Sequence, residues 1–235
     1  MALFAIADLH LSLGADKPMD VFPGWENYVG RLQENWRKTV GPEDTVILAG
    51  DFSWAMNLKE ATPDFAFLHT LPGRKLLLKG NHDYWWNTKT KIDAYFQENG
   101  FSDMALLHNN AYAVGDIAVC GSRGWLYNAE SAEDRKIVAR ECGRLEASIA
   151  AARKTGKRPV AFLHYPPVYD GAECREILQV LERNEIRDCY FGHIHGAAAA
   201  RRAALRMWGT VRLHLISGDH VGFTPVLVAD PEETG

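Results

Sequence analysis

Leu76-Leu77-Leu78-Lys79-Gly80-Asn81-His82-Asp83 is the stretch on which the fold turns. An apolar run this short, stopped by a glycine, reads as a buried strand. Gly80 then lets the backbone turn sharply, and three polar side chains follow it directly. The same grammar recurs outward in both directions. Leu3 to Ala7 ends in Asp8 and His10, and Thr45 to Ala49 ends in Gly50 and Asp51. Val160 to Leu163 ends in His164, and Cys189 to Phe191 ends in Gly192, His193 and His195. Ile117 to Cys120 is a further run of this kind.

Longer amphipathic stretches separate these runs and predict helices over Trp25 to Thr39, Thr62 to Thr70, Lys89 to Asn99, Ala132 to Lys154 and Cys174 to Arg183. Strands alternating with helices define an α/β domain. After His195 the pattern changes: Trp208 to Ile216 and Val221 to Val228 read as strands joined in a hairpin at Ser217-Gly218-Asp219, an antiparallel edge to a mixed sheet. No repeat or Pro/Gly/Ser-rich linker divides the chain, so residues 1–229 are expected to form a single domain and residues 230–235 a flexible tail.

Of the 235 residues, 47% are hydrophobic and 24% charged, which excludes disordered and fibrous classes. The 26 Lys plus Arg against 30 Asp plus Glu give a net charge of -4, so no excess positive field drives sequence-blind nucleic-acid binding. The four cysteines form no C-x-x-C pair, and neither a signal peptide nor an apolar run long enough to span a bilayer is seen. The expectation is a cytoplasmic protein with no membrane partner and no nucleic acid.

In open α/β sheets ligands bind beyond the carboxyl ends of the strands, so the polar residues ending separate runs can converge on one locus. Five of the nine histidines belong to that set, which scattered surface histidines would not give. By alternation Asp8 and His10 point to one side, as do His193 and His195 if that strand persists so far. Carboxylate, amide oxygen and imidazole without thiolate suit Mn2+, Fe or Zn2+, and softness alone does not choose among them; Mn2+ is the first expectation. Asp8, His10, Asp51, Asn81, His164, His193 and His195 are too many for one tetrahedral zinc and fit two ions. Paired ions roughly 3.5–4 Å apart clamp the attacking and leaving oxygens of an in-line displacement at phosphorus, which predicts hydrolysis of a phosphate ester.

In full and in order, D-x-H, G-D, G-N-H-D, H and G-H-x-H run from Asp8 to His195. This set resembles the calcineurin-like metallophosphoesterase superfamily, and the chain looks most like its small bacterial predicted phosphohydrolases. The resemblance implies a four-layer α/β/β/α sandwich with mixed sheets. It implies one metal on Asp8, His10, Asp51 and His195, and a second on Asp51, Asn81, His164 and His193, with Asp51 bridging. It also implies in-line attack by a metal-bridging hydroxide on a small phosphorylated substrate, monoester or diester. His82 would assist the leaving group and Asp83 would orient its ring.

Phosphoprotein phosphatases of the superfamily carry G-D-x-V-D-R-G, which the Gly50-Asp51-Phe52-Ser53-Trp54-Ala55-Met56 segment does not match. Arg123 follows another strand and offers a bidentate fork for a substrate phosphate. Trp54, Trp85 and Trp86 are read first as packing and second as an aromatic wall. His69, His108, His214 and His220 are assigned ordinary structural roles. Two readings compete with the hydrolase: a catalytically silent binding or scaffold protein on the same fold, and a nuclease. No expected ligand is missing, which favours the enzyme.

Overall fold

The computed structural model describes residues 1–125, 131–203 and 207–228; the expected tail lies outside them. The strands in chain order are β1 (Leu3–Ile6), β2 (Thr45–Ala49), β3 (Arg74–Leu78), β4 (Met104–Leu106), β5 (Tyr112–Val114), β6 (Ile117–Ser122), β7 (Arg158–Leu163), β8 (Val168–Tyr169), β9 (Ala172–Glu173), β10 (Asp188–Phe191), β11 (Met207–Trp208), β12 (Val211–Leu215) and β13 (Val226–Leu227). The helices are α1 (Tyr28–Thr39), α2 (Thr62–His69), α3 (Lys89–Glu98), α4 (Ala132–Arg153), α5 (Arg175–Arg183) and α6 (Ala197–Arg202). Among the described residues none of these is long and apolar enough to cross a membrane.

One sheet has the order β13-β1-β2-β3-β4 and the other β11-β12-β10-β7-β6-β5, with β8 and β9 as a separate ribbon. Each large sheet is parallel at its centre and gains antiparallel pairs at its margins: β13 on β1, β5 on β6 and β11 on β12. The layers follow from period-2 alternation in strands that are apolar on both faces. Leu3, Ala5, Ile47, Leu76 and Leu78 meet Val119, Val160, Phe162 and Tyr190 between the sheets. Phe4, Ile6, Leu48 and Leu77 face outward against Leu32 and Trp36 of α1, Phe65 of α2 and Phe96 of α3. On the other side, Cys120, Ala161, Leu163 and Phe191 pack against Leu145 and Ile149 of α4 and Ile177 and Leu181 of α5. The result is the expected α/β/β/α sandwich, each fully buried aliphatic side chain contributing about 1.5–3 kcal/mol.

The expected hairpin at Ser217-Gly218-Asp219 is not formed. Instead β11 and β12 pair with each other across Gly209 and Thr210, and β12 lies parallel to β10. The chain then leaves that sheet: Ile216 N–H donates to Phe191 O at 2.8 Å, and Gly218 N–H donates to Ala7 O at 2.9 Å. It ends as β13 beside β1 in the opposite sheet. A crossing between sheets and a hairpin need the same small polar residues, so turn chemistry alone did not separate them. The crossing places Asp219 at the carboxyl ends of the central strands.

Candidate metal centre

Every strand carrying one of the seven expected ligands ends at the same edge of the sandwich, but alternation is not what aims the side chains. β1 stops at Ile6 and β10 at Phe191, short of Asp8, His10, His193 and His195. The backbone of Asp8 (φ 58°), His10 (φ 45°), Asp51 (φ 52°) and His193 (φ 72°) is left-handed, a conformation uncommon for non-glycine residues. Four ligand candidates in this region constitute local strain held by the surrounding structure, a pattern that clusters at functional sites. All three neighbouring glycines make room. A Cβ on Gly50 (φ 96°) would lie 2.5 Å from His164 Nδ1, one on Gly80 would collide with the Asp51 carboxylate, and one on Gly192 with the Asp8 carboxylate.

The side chains gather into two groups, Asp8 with His10 and His195, and Asp51 with His164 and His193, whose ligand atoms lie within 4.8 Å of one another in each group. Asn81 joins the second through Oδ1, 2.6 Å from His164 Nε2. Asp51 Oδ2 lies between the groups, 3.7 Å from His10 Nε2 and 3.5 Å from His164 Nε2. Its other oxygen accepts the His82 backbone N–H at 2.7 Å.

Two imidazoles are locked by their far nitrogens. His164 Nδ1 lies 3.1 Å from Ala49 O and His195 Nδ1 3.0 Å from Asp219 Oδ1; when each donates there, Nε2 presents a lone pair to the site. His195 Nε2 and His10 Nε2 then approach to 3.2 Å. Asp219 is a positioning group that the sequence reading missed, having seen only a turn; it is also held by Gly196 N–H at 2.7 Å.

Electrostatically the protein alone leaves this region uncompensated. Burial, then Asp83 and Asp8, push the Asp51 carboxyl up to about 9; burial also lifts Asp8 to about 6. Burial drives His10 and His164 well below the ordinary imidazole value and His193 down to about 4, with neighbouring His195 or His193 adding to it. The buried atoms Asp8 Oδ1, His10 Nδ1 and Asp51 Oδ2 have no hydrogen-bond partner among the described residues. Neutral imidazoles that turn a ring nitrogen toward unpaired carboxyl oxygens are the donor set of divalent cations.

Asp83 departs from expectation. Its carboxylate accepts backbone N–H groups of Gly80 (2.7 Å), Asp51 (3.0 Å), Phe52 (2.9 Å) and Ser53 (3.4 Å), as well as Trp85 Nε1 (3.0 Å). With both oxygens spent on the two ligand loops, it does not orient the His82 ring. His82 Nδ1 lies instead 3.1 Å from the Tyr84 hydroxyl.

His82 lines a cavity of about 820 Å³ together with His10, Asp51, His193 and His195, and one wall of it is apolar: Met19, Phe22, Trp25 and Trp54. Trp54 stacks on His10 at 4.9 Å between ring centroids, and Lys17 lies over its indole at 4.7 Å. Trp85 is core packing against Phe65. Trp86 and Arg123 line a different pocket. The four other histidines stay outside the centre, His69 on Asp103 at 2.6 Å and His214 on Asp188 at 3.1 Å.

Residues 1–197 match the family described as calcineurin-like phosphoesterase. The chain belongs to that family. As a calcineurin-like phosphoesterase it is a metal-dependent hydrolase of phosphoesters, and the two His/Asp groups are its candidate metal sites. A search of the curated proteins gave no match. Solved structures share the fold at low identity. A protein of unknown function from Aquifex aeolicus is 15% identical with a TM-score of 0.53, covering 96% of this chain and 95% of its own. The phosphopantetheinyl hydrolase of Mycobacterium tuberculosis is 14% identical with a TM-score of 0.50, covering 98% and 97%. The protein TT1561 of Thermus thermophilus is 12% identical with a TM-score of 0.57, covering 91% and 87%.

Proposed function

We propose that this phosphoesterase is a dinuclear enzyme that hydrolyses a small phosphomonoester or phosphodiester with an apolar or flat leaving group. The observation that carries the dinuclear reading is Asp51 Oδ2: buried, unpartnered, and within 3.7 Å of an imidazole from each ligand group. Asp8, His10, Asp51 and His195 would hold one cation, and Asp51, Asn81, His164 and His193 the other. When bound, the pair supplies Lewis-acid charge at the phosphoryl oxygens and a nucleophile drawn from water near neutral pH.

The chain's own groups do the rest. Asp83 fixes the backbone from which both Asp51 and Asn81 project, and Asp219 fixes the His195 ring. With the Tyr84 hydroxyl donating to His82 Nδ1, the Nε2–H of His82 is free to donate to the leaving oxygen. The wall of Phe22, Trp25 and Trp54 favours an apolar or aromatic ester group over a strongly hydrated one. A ligand set of carboxylate, amide oxygen and imidazole without thiolate accepts Mn2+, Fe and Zn2+, and manganese is the first metal to test. The test is the hydrolysis of para-nitrophenyl phosphate and its bis ester by protein carrying measured metal. Turnover should vanish on chelation and return with Mn2+ at two ions per chain. Turnover that survives complete chelation, or that saturates at one ion per chain, would sink the dinuclear reading.

A further inference from the structure

A second pocket, of about 410 Å³, opens at the same edge of the sandwich, beyond the ends of β3, β4 and β6. Lys79, Arg123 and Arg144 line it with His108, and Glu141 is the one carboxylate among its described lining residues. One oxygen of Glu141 is taken by Arg144, whose Nη1 donates to Oε1 at 2.7 Å, while Oε2 is buried without a partner among the described residues and faces the pocket's cations. Lys79 has no ion-pair or hydrogen-bond partner among the described residues, and Arg123 Nε is buried without an acceptor. The Arg123 guanidinium lies over Trp125 at 4.7 Å, so its planar donors are held in place.

The backbone adds to this field. Asn87 and Thr88, which lead into α3, line the pocket. The ten-residue helix has no acidic residue in its first turn and no side-chain cap. Its Lys89 and Thr90 N–H groups are among the orphan donors of a helix start, which attract anions. Burial, then the charges of Arg144, Lys79 and Lys89, hold the His108 imidazole below its ordinary value, a second sign that positive charge here exceeds its compensation.

We infer that this pocket is a second oxyanion site, built to take a phosphate-like group on Lys79, Arg123, Arg144 and the α3 N-terminus. It is joined to the metal centre through the backbone. Lys79 is two residues from Asn81, and the His164 and Tyr165 N–H groups both donate to Arg123 O, at 3.1 and 3.0 Å. A substrate with an anion at each end could therefore span the two sites, and free phosphate could occupy the second alone. The spanning form rests on the hydrolase reading; the oxyanion site does not.

Calorimetric titration of the full chain with inorganic phosphate, as purified and after chelation, separates the two. One phosphate per chain should still bind after chelation, more than tenfold more weakly in both Arg123→Gln and Lys79→Gln, with Asp51→Asn as a control that keeps it. Circular dichroism and thermal midpoints show whether each variant is folded, and either folded variant suffices. Phosphate binding that disappears with the metal, or that changes less than twofold in a folded variant, overturns the site. The source of the anion is read from the KM of an alkanediol bisphosphate against that of the matching monophosphate. If Lys79→Gln raises the first at least tenfold more than the second, the anion is the far end of the substrate. If phosphate binding weakens as stated while that ratio is unmoved, the site serves free phosphate.

Discussion

Asp51 and Asp188 are both buried aspartates, 1% and 2% exposed, and they sit at opposite edges of the sandwich in opposite electrostatic states. Asp188 opens β10 at the amino edge, where Arg212 grips it with Nε at 2.7 Å and Nη2 at 2.8 Å, Arg158 reaches it at 3.0 Å and His214 at 3.1 Å. Burial alone would raise its pKa, but His214 and Arg212 more than reverse that and hold it below the carboxylate range. Asp51, past the end of β2, has no compensating Lys or Arg among the described residues, and its carboxyl is pushed up to about 9. One edge is electrostatically complete and ties strands together. The other is complete only when something positive is added, which is the physical difference between a structural and a functional carboxylate.

The largest effect that could break this comparison is on turnover. Asp51→Asn removes charge shared by both ligand groups, so para-nitrophenyl ester hydrolysis should fall by about 10³-fold or more and bound metal should drop at both sites. Metal analysis alongside kinetics decides it: an Asp51→Asn protein with two ions per chain has no bridging Asp51. His82→Gln comes next. It should retain both ions and lose about 10²-fold in kcat, more for an alkyl phosphate than for the nitrophenyl ester, whose leaving oxygen needs less help. Equal losses on both esters would take His82 out of the leaving-group role.

Asp219→Asn should act through His195, with metal affinity or activity reduced by about 10-fold to 100-fold and partly recovered at high Mn2+. A loss untouched by metal concentration would mean Asp219 does not act by aiming that ring. Asp219 also marks where reading the chain ran out. The ligands were legible because each follows an apolar run that can only be a buried strand, and the side chains at those ends had to meet. Asp219 also follows such a run, β12, but its small polar neighbours fit a hairpin equally well. The chain is carried across by hydrogen bonds from Ile216 to Phe191, from Ala7 to Ile216 and from Gly218 to Ala7, which no local pattern marks. Asp83 was misjudged for a related reason: adjacency to His82 says nothing of where four backbone N–H groups point. Trp25 and Phe22 of the cleft wall, and Arg144 of the second pocket, lie in segments with no local pattern that marks a site.

The smallest effects compare the two aspartates directly, through stability. Asp188→Asn should cost about 1–2 kcal/mol, reduced from the value for a fully buried pair because Arg212, Arg158 and His214 are each more than a third exposed. That is a drop of several degrees in Tm with turnover intact. Since its pKa is lowered on folding, the Asp188 contribution is present above the unfolded value near 3.9 and lost only on acidification, so the drop should be constant between pH 7 and 8. Asp51 in metal-free protein has the reverse sign. A carboxyl raised to about 9 contributes stability that is complete below the unfolded value and lost as pH climbs toward 9. The lowered imidazoles His10, His164 and His193 oppose this only below about 6.5, where the unfolded histidines gain protons. His195 works with Asp51: burial lowers its pKa, but Asp8 and Asp219 outweigh that and raise it. Buried thiols such as Cys120, pushed up to about 12 by burial, enter only above about 8.5. The Tm of chelated protein should therefore fall from pH 7 to 8 by the equivalent of about 1.4 kcal/mol per titrating group, and Asp51→Asn should flatten most of that slope. Added Mn2+ should abolish the slope in the parent, because bound cations hold the carboxylate ionised. Identical slopes in chelated parent and Asp51→Asn would mean that the Asp51 carboxyl is compensated within the protein, and the contrast with Asp188 would be gone.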